Sequence, residues 1–240
     1  MIGAILNAAG IAIGGVVGLV RRRSLSEAQE SFFKVGLGVF TVFYGLRLTW
    51  LSLSGGLAEI LKELAVMILA LMLGKVAGRL LGLQHLSNRL GRAARKGIDA
   101  ATPNAGRKAG VGFKVCAVLF CAAPLGILGA VQDGVSGYYY PLAVKAVMDG
   151  LAAMGFVRVF GGAVILAAVP VLAMEGTITL TCARLFGPWL AARGLVDPLN
   201  ATGGLLVFSV ALVILGLKRI ELADYLPSLA LAPVLAWLIR

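Results

Sequence analysis

Of the 240 residues, 60% are apolar, a further 32 are glycine and only 14% are charged, where ordinary soluble domains reach only ~45–50% apolar with glycine counted in. A soluble globule of this length cannot hide so much apolar surface and a disordered chain does not carry it, which leaves a lipid bilayer as the solvent. The 22 Lys and Arg against 11 Asp and Glu give a net charge of +11, but the bases sit beside apolar runs, which argues against a nucleic-acid partner and reads as a signal of membrane topology.

A bilayer-crossing helix needs ~20 mostly apolar residues. Seven runs qualify: 2–20, 35–53, 59–82, 112–131, 160–183, 203–217 and 225–239, the last two short. The first opens without a basic flank and reads as a retained span rather than a signal peptide. An eighth run, 141–158, carries Lys145 and Asp149 inside an apolar stretch. It is either a true span with buried charge or a re-entrant or interfacial helix. The expected fold is therefore all-α, a polytopic transmembrane bundle of seven or eight spans.

Between Lys75 and Lys114 stand nine bases (Lys75, Arg79, Arg89, Arg92, Arg95, Lys96, Arg107, Lys108 and Lys114) against the single acid Asp99. By the positive-inside rule residues 84–111 form a basic cytoplasmic loop and the N-terminus lies outside. Arg21, Arg22 and Arg23 then fall inside, and the 54–58 connection, free of Lys and Arg, falls outside. Beyond residue 131 the 141–158 segment decides. If it crosses, Lys218 and Arg219 lie inside; if not, Arg184 and Arg193 do. The expected compartment is a membrane with the basic loop on its cytoplasmic side.

An internal similarity bears on this choice. Gly36-Leu37-Gly38-Val39-Phe40-Thr41-Val42 matches Gly204-Leu205-Leu206-Val207-Phe208-Ser209-Val210, and Leu6 and Gly10 match Leu172 and Gly176. A weaker match relates 61–73 to 223–235. Three spans at each end are thus read as a repeat, 1–83 and 159–240, around the basic loop 84–111 and central helices 112–158. With eight spans the repeat is inverted, as in many secondary transporters; with seven it is parallel.

Several residue patterns could carry function. Gly10, Gly14 and Gly18 fall on one helical face, and Gly74 and Gly78 repeat the spacing, so both sets suit close helix packing. Ionisable groups at membrane depth are costly and therefore informative. Glu175, followed by Thr177 and Thr179 and preceded by the helix-loosening Pro170, could hold a proton or small hard cation, or serve as a structural partner for a base. Lys145 and Asp149, four apart, share a helix face and can pair. Asn7 lies close to the level of Glu175 by the repeat. Asp133, in the Asp-Gly-Val-Ser stretch, suits a turn or a cation-attracting mouth, beside the interfacial Tyr138, Tyr139 and Tyr140.

Enzymatic chemistry finds little support. His85, the one histidine, stands in a basic stretch, and no nucleophile–base pair or phosphate loop is visible. Cys116, Cys121 and Cys182 lack metal-ligand spacing. We expect no enzyme activity, no cofactor and no bound metal.

The opening Met1-Ile2-Gly3-Ala4-Ile5-Leu6-Asn7-Ala8 resembles that of the uncharacterised prokaryotic membrane proteins called domain of unknown function 554 (YqgA/YdfK-like). So do Leu128-Gly129-Ala130-Val131-Gln132-Asp133-Gly134-Val135-Ser136-Gly137, Lys145 with Asp149-Gly150, and Val169-Pro170-Val171-Leu172 through Glu175-Gly176-Thr177-Ile178-Thr179-Leu180. Gly203-Gly204-Leu205-Leu206 and Leu226-Pro227-Ser228-Leu229 complete a similarity running in order along the whole chain. The resemblance implies a multi-span membrane protein, some members carrying a suggested sodium channel or pump role. Glutamine is common in the family where this chain has Glu175, so the family does not require a fixed charge there.

The expectation is a small transporter or channel for an ion or solute, Na+ or H+ linked, forming a homo-oligomer in the bilayer. Asn7, Asp133, Lys145, Asp149, Glu175, Thr177 and Thr179 would line its path. The alternative is a non-transporting assembly or signalling protein whose basic loop docks a partner.

Overall fold

The computed structural model describes residues 1–21, 25–100 and 108–239, without the side chains of Asp99, Ala100, Lys108 and Ala109. Arg22, Arg23 and Arg107, which entered the charge count above, lie outside the described residues, as do the side chains of Asp99 and Lys108. Among the described residues every regular element is a helix, the form in which a segment satisfies its own backbone groups in lipid.

Three helices open the chain: α1 (Ile2–Val20), α2 (Glu27–Leu51) and α3 (Leu57–Leu80). A capping box starts α2, with Gln29 N donating to Ser26 Oγ at 3.3 Å and Ser26 N donating to Gln29 Oε1 at 3.1 Å. At Gly82, whose φ of 65° suits only glycine comfortably, the chain bends by 56° into α4 (Leu83–Ala100). Residues 84–111 are expected as a loop, yet 83–100 is helical. Leu83, Leu86, Leu90, Ala94 and Ile98 recur at helical spacing, a stripe that the intervening bases dilute in any hydropathy average. Ala94 is buried, and Gly97 abuts Val115 of the next helix.

The run 112–131 is also not one straight span. It is split into α5 (Lys108–Ala122) and α6 (Pro124–Ser136), bent by 57° at Ala123. Pro124 forces the break because it lacks an N–H and suits the first turn of a new helix. Next comes α7 (Tyr140–Phe160), continuous over 21 residues. A 3₁₀ turn over Gly162–Ala167 leads into α8 (Ala168–Thr181), a π turn over Cys182–Phe186 and the short α9 (Gly187–Ala191). The chain closes with α10 (Val196–Ile214), α11 (Leu222–Tyr225) and α12 (Ser228–Ile239).

Among the described residues five runs are long and apolar enough to cross a membrane: Ile2–Val20, Glu27–Leu51, Gly162–Ala191, Val196–Ile214 and Leu222–Ile239. Counting each bent pair as one broken span raises the number to seven. At ~1.5 Å per residue α7 is also ~31 Å long, a match for the hydrocarbon thickness of ~30 Å. It carries Lys145, Asp149 and Arg158.

Helix directions follow from which residues meet. Gly3, Gly10, Gly14 and Gly18 of α1 face Leu142, Ala146, Gly150 and Met154 of α7 in ascending order, so these two helices run parallel and in backbone contact. Met1, Asn7 and Gly15 meet Gly176, Glu175 and Ile165, so α8 runs antiparallel to α1. In the same way Gly38 and Gly45 of α2 meet Leu215, just after α10, and Phe208 within it. Gly74 and Gly78 of α3 meet Ser228 and Asp224. Both pairs are antiparallel. The apolar core lies in two main clusters, one of Ile11, Phe120, Val157, Phe160 and Val171, the other of Leu125, Leu128, Leu206, Val207 and Leu229.

These directions gather Arg21, Lys75, Arg79, Arg158, Lys218 and Arg219 at one end of the bundle, where Arg158 Nη2 donates to Arg21 O at 3.3 Å. α4 is tied to that same end reciprocally. Gln84 N donates to Asp224 Oδ1 at 2.8 Å, and Ala223 N donates to Gln84 Oε1 at 3.2 Å. Asp133, Tyr138, Arg184 and Arg193 belong to the opposite end.

Candidate functional site

The densest buried polar group lies where α1, α7 and α8 meet the break between α5 and α6. Lys145 is 1% exposed and Glu175 and Asn7 are fully buried, with Asp149 beside them at 9%. Lys145 Nζ pairs with Asp149, one helical turn on, and lies 3.4 Å from Glu175 Oε1. Asn7 Nδ2 donates to both oxygens of Glu175, at 2.8 and 3.0 Å. Four of the residues singled out in the sequence thus form one constellation.

The helix break supplies a fifth member. Pro124 has no N–H to offer the carbonyl of Phe120, four residues earlier. Lys145 Nζ donates to that freed oxygen at 2.9 Å. Gly126, just beyond the break, leaves the room the cluster needs: a Cβ there would stand 2.9 Å from Glu175 Oε1 and 3.1 Å from Lys145 Cε.

The charges do not balance. One ammonium faces two carboxylates, so the fully ionised cluster carries one excess negative charge in a medium where an unpaired charge is costly. A proton on a carboxylate or a bound monovalent cation would offset it. Oxygen donors are at hand in Asp149, Glu175, the Phe120 carbonyl and Asn7 Oδ1, and the last has no hydrogen-bond partner among the described residues. Hard cations take such oxygens.

Other sequence candidates lie apart from this constellation. Asp133 is not at an open mouth, because α6 continues to Ser136 and turns the carboxylate onto the start of α1. Its Oδ2 accepts from Gly3 N at 3.0 Å and lies 3.1 Å from the amine of Met1, a favourable partner for a helix N-terminus. Thr177 is exposed and its hydroxyl donates back to Ala173 O at 2.6 Å. Thr179 is buried but donates to Ala130 O at 3.2 Å, stapling α8 to α6. Tyr138 and Tyr140 pack with Phe40 and Tyr44 of α2 rather than around an open ligand site. Gly10, Gly14, Gly18, Gly74 and Gly78 all serve contacts within the chain.

A second polar group was missed. Gln132, Asn200 and Thr202 are buried, and both amide atoms of Gln132, Asn200 Oδ1 and Thr202 Oγ1 have no partner among the described residues. The Gln132 amide lies against Gly203 of α10. The sequence signals it weakly, since Gln132 directly follows the span expected at 112–131 and Asn200 and Thr202 precede the one expected at 203–217.

Comparison with known proteins agrees with this membrane architecture. The model of the family described as "Protein of unknown function (DUF554)" matches residues 2–237. The chain is 25% identical over 240 residues to the "Uncharacterized membrane protein YdfK" of Bacillus subtilis, covering 100% of this chain and 97% of that one. It is 29% identical over 242 residues to the "Uncharacterized protein YqgA" of Escherichia coli, covering 99% and 97%. No solved structure gives a significant match.

Proposed function

The chain belongs to the DUF554 family and is a membrane protein with several apolar helices, and on that premise we propose that it transports a small cation, H+ or Na+, through the Asn7–Lys145–Asp149–Glu175 cluster. The observation that carries this reading is a single ammonium between two carboxyl groups, buried beside a broken helix. Secondary transporters place discontinuous helices at their ion sites because freed backbone carbonyls can then act as ligands. Phe120 and Pro124 provide that device here.

The helix directions support eight crossings with α7 as the fifth. An odd-numbered crossing must run parallel to α1, and α7 does. On this reading the basic end, with α4, faces the cytoplasm and both termini lie outside, in a prokaryotic inner membrane. The repeat is then inverted. By the offset that relates Leu6 to Leu172 and Gly10 to Gly176, Asn7 corresponds to Ala173, two residues before its partner Glu175. Contact between near-equivalent positions of the two halves is compatible with a two-fold axis in the membrane plane. Alternating exposure of the cluster would come from one half rocking against the other. No enzyme activity is invoked, and an oligomer is compatible with the apolar residues exposed on α1 and α2.

The test is reconstitution into sealed vesicles, with Na+ and H+ gradients imposed in turn. Flux above that of protein-free vesicles is expected for at least one cation. No flux of either would sink the transport reading. A second reading, a membrane adaptor, is favoured by the exposed Arg89, Arg92 and Arg95 of α4. Their replacement by glutamine should abolish the cellular role of an adaptor and leave that of a transporter intact.

A further inference from the structure

Away from the buried cluster, at the basic end of the bundle, a cavity of about 820 Å³ opens between α3, α10 and α11. Three cations from two parts of the chain line it: Lys75 in the last third of α3, and Lys218 and Arg219 just after α10. Among the described residues none of the three is within ion-pairing distance of a carboxylate. Lys75 instead sits over the ring of Tyr225, 5.2 Å from its centroid. The one acid on the rim, Glu221, is engaged by Arg79 at 3.2 Å. The cavity therefore presents a net positive pocket that the protein itself does not neutralise.

Its walls point to the class of anion. Leu205, Phe208 and Leu212 continue the cavity down the flank of α10, in a helix apolar enough to cross a membrane. A soluble anion has no use for such a wall, whereas an acyl chain does. The volume far exceeds that of inorganic phosphate. The cations lie near the ends of apolar helices, at the level where headgroups sit, and basic pockets between spans on that side suit anionic lipid headgroups.

We propose that this cavity is a binding site for an anionic phospholipid, its phosphate held by Lys75, Lys218 and Arg219 and one acyl chain lying along Leu205, Phe208 and Leu212. Asn88, on the same wall, completes the polar mouth from α4. Occupancy would join α3, α4 and α10 at one headgroup. The site is independent of the transport reading.

The test titrates purified protein in neutral detergent with phosphatidylglycerol, phosphatidylcholine or inorganic phosphate, reading bound lipid by native mass spectrometry and thermal unfolding in parallel. Phosphatidylglycerol should bind at least tenfold more tightly than phosphatidylcholine and raise the unfolding temperature. The triple variant K75Q/K218Q/R219Q should lose at least tenfold in that affinity. The exposed single variant Lys218→Glu, which removes nothing from the core, should lose part of it. Replacing Arg89, Arg92 and Arg95 of α4 by glutamine should leave it unchanged. Equal binding of phosphatidylcholine, competition by inorganic phosphate at comparable concentration, or full affinity in Lys218→Glu would each overturn the proposal.

Discussion

Three partners hold the buried Lys145: Asp149, Glu175 and the Phe120 carbonyl all converge on its ammonium. Removing the central charge of such a group leaves two carboxylates buried with no base. Lys145→Met should therefore destabilise the folded protein by roughly 3–5 kcal/mol, read as a lowered unfolding midpoint in detergent. Glu175→Gln should differ sharply. An amide keeps an oxygen for Asn7 and for Lys145 while removing the excess negative charge, so the unfolding midpoint should hold or rise. A Glu175→Gln protein as unstable as Lys145→Met would mean that charge balance has been misjudged. Gly126→Ala places a methyl 2.9 Å from Glu175 Oε1. The carboxylate can swing away at little cost in stability, but its place in the cluster is lost, so cation flux should fall while the fold persists. Much of this site was legible in the sequence, since Lys145 and Asp149 are one helical turn apart and charge is scarce elsewhere in the spans. The Phe120 carbonyl was not, because its availability depends on a proline four residues later breaking a run that reads as one apolar span. Asp133 misled for the converse reason. Asp, Gly and Ser suggest a turn, but α6 runs through them to Ser136 and aims the carboxylate at α1.

Helix pairing rests on a few glycines. Gly10, Gly14 and Gly18 bring α1 onto the carbonyls of Ala146, Gly150 and Met154, and any side chain there meets backbone that cannot yield. Gly14→Leu should prevent a folded product, seen as loss of the monodisperse peak on size exclusion. Gly155→Leu on α7 is the matched control, for nothing lies within 4 Å of a Cβ at that position, and it should behave as the parent. The glycine spacing was readable as a packing face, but its partner was not, because nothing in the periodicity of α1 distinguishes α7 from any other apolar helix. The element least visible in advance was α4. Its leucines and Ala94 follow a helical period, yet nine bases over a forty-residue stretch drew attention to charge rather than to spacing. At the α5–α6 break, Pro124→Ala would return an N–H to the Phe120 carbonyl and compete with Lys145 for it. Flux should drop with little change in helix content by circular dichroism.

Across the whole molecule, the basic groups at one end and the antiparallel pairing of the outer helices form a single topological account. Cysteines introduced at Ser54 and Asn88 into a protein lacking the native three should label from opposite sides of the membrane, Ser54 from outside and Asn88 from inside. Labelling of both from one side would contradict the helix directions on which the inverted repeat rests. Charge counting left this choice open, two bases against two. The tertiary pairing of α3 with α11 and of α2 with α10 puts Lys218 and Arg219 at the same end as Lys75 and Arg79, which favours the proposed eight crossings. The central claim is that the buried cluster is the cation path. Vesicles holding the parent protein, Asp149→Asn or Glu175→Gln, each first shown to be monodisperse, test it most directly through initial rates of Na+ and H+ movement under identical gradients. The account expects flux in the parent, at least a tenfold loss in Asp149→Asn and a changed cation or pH dependence in Glu175→Gln; parent-like flux in both variants would contradict it.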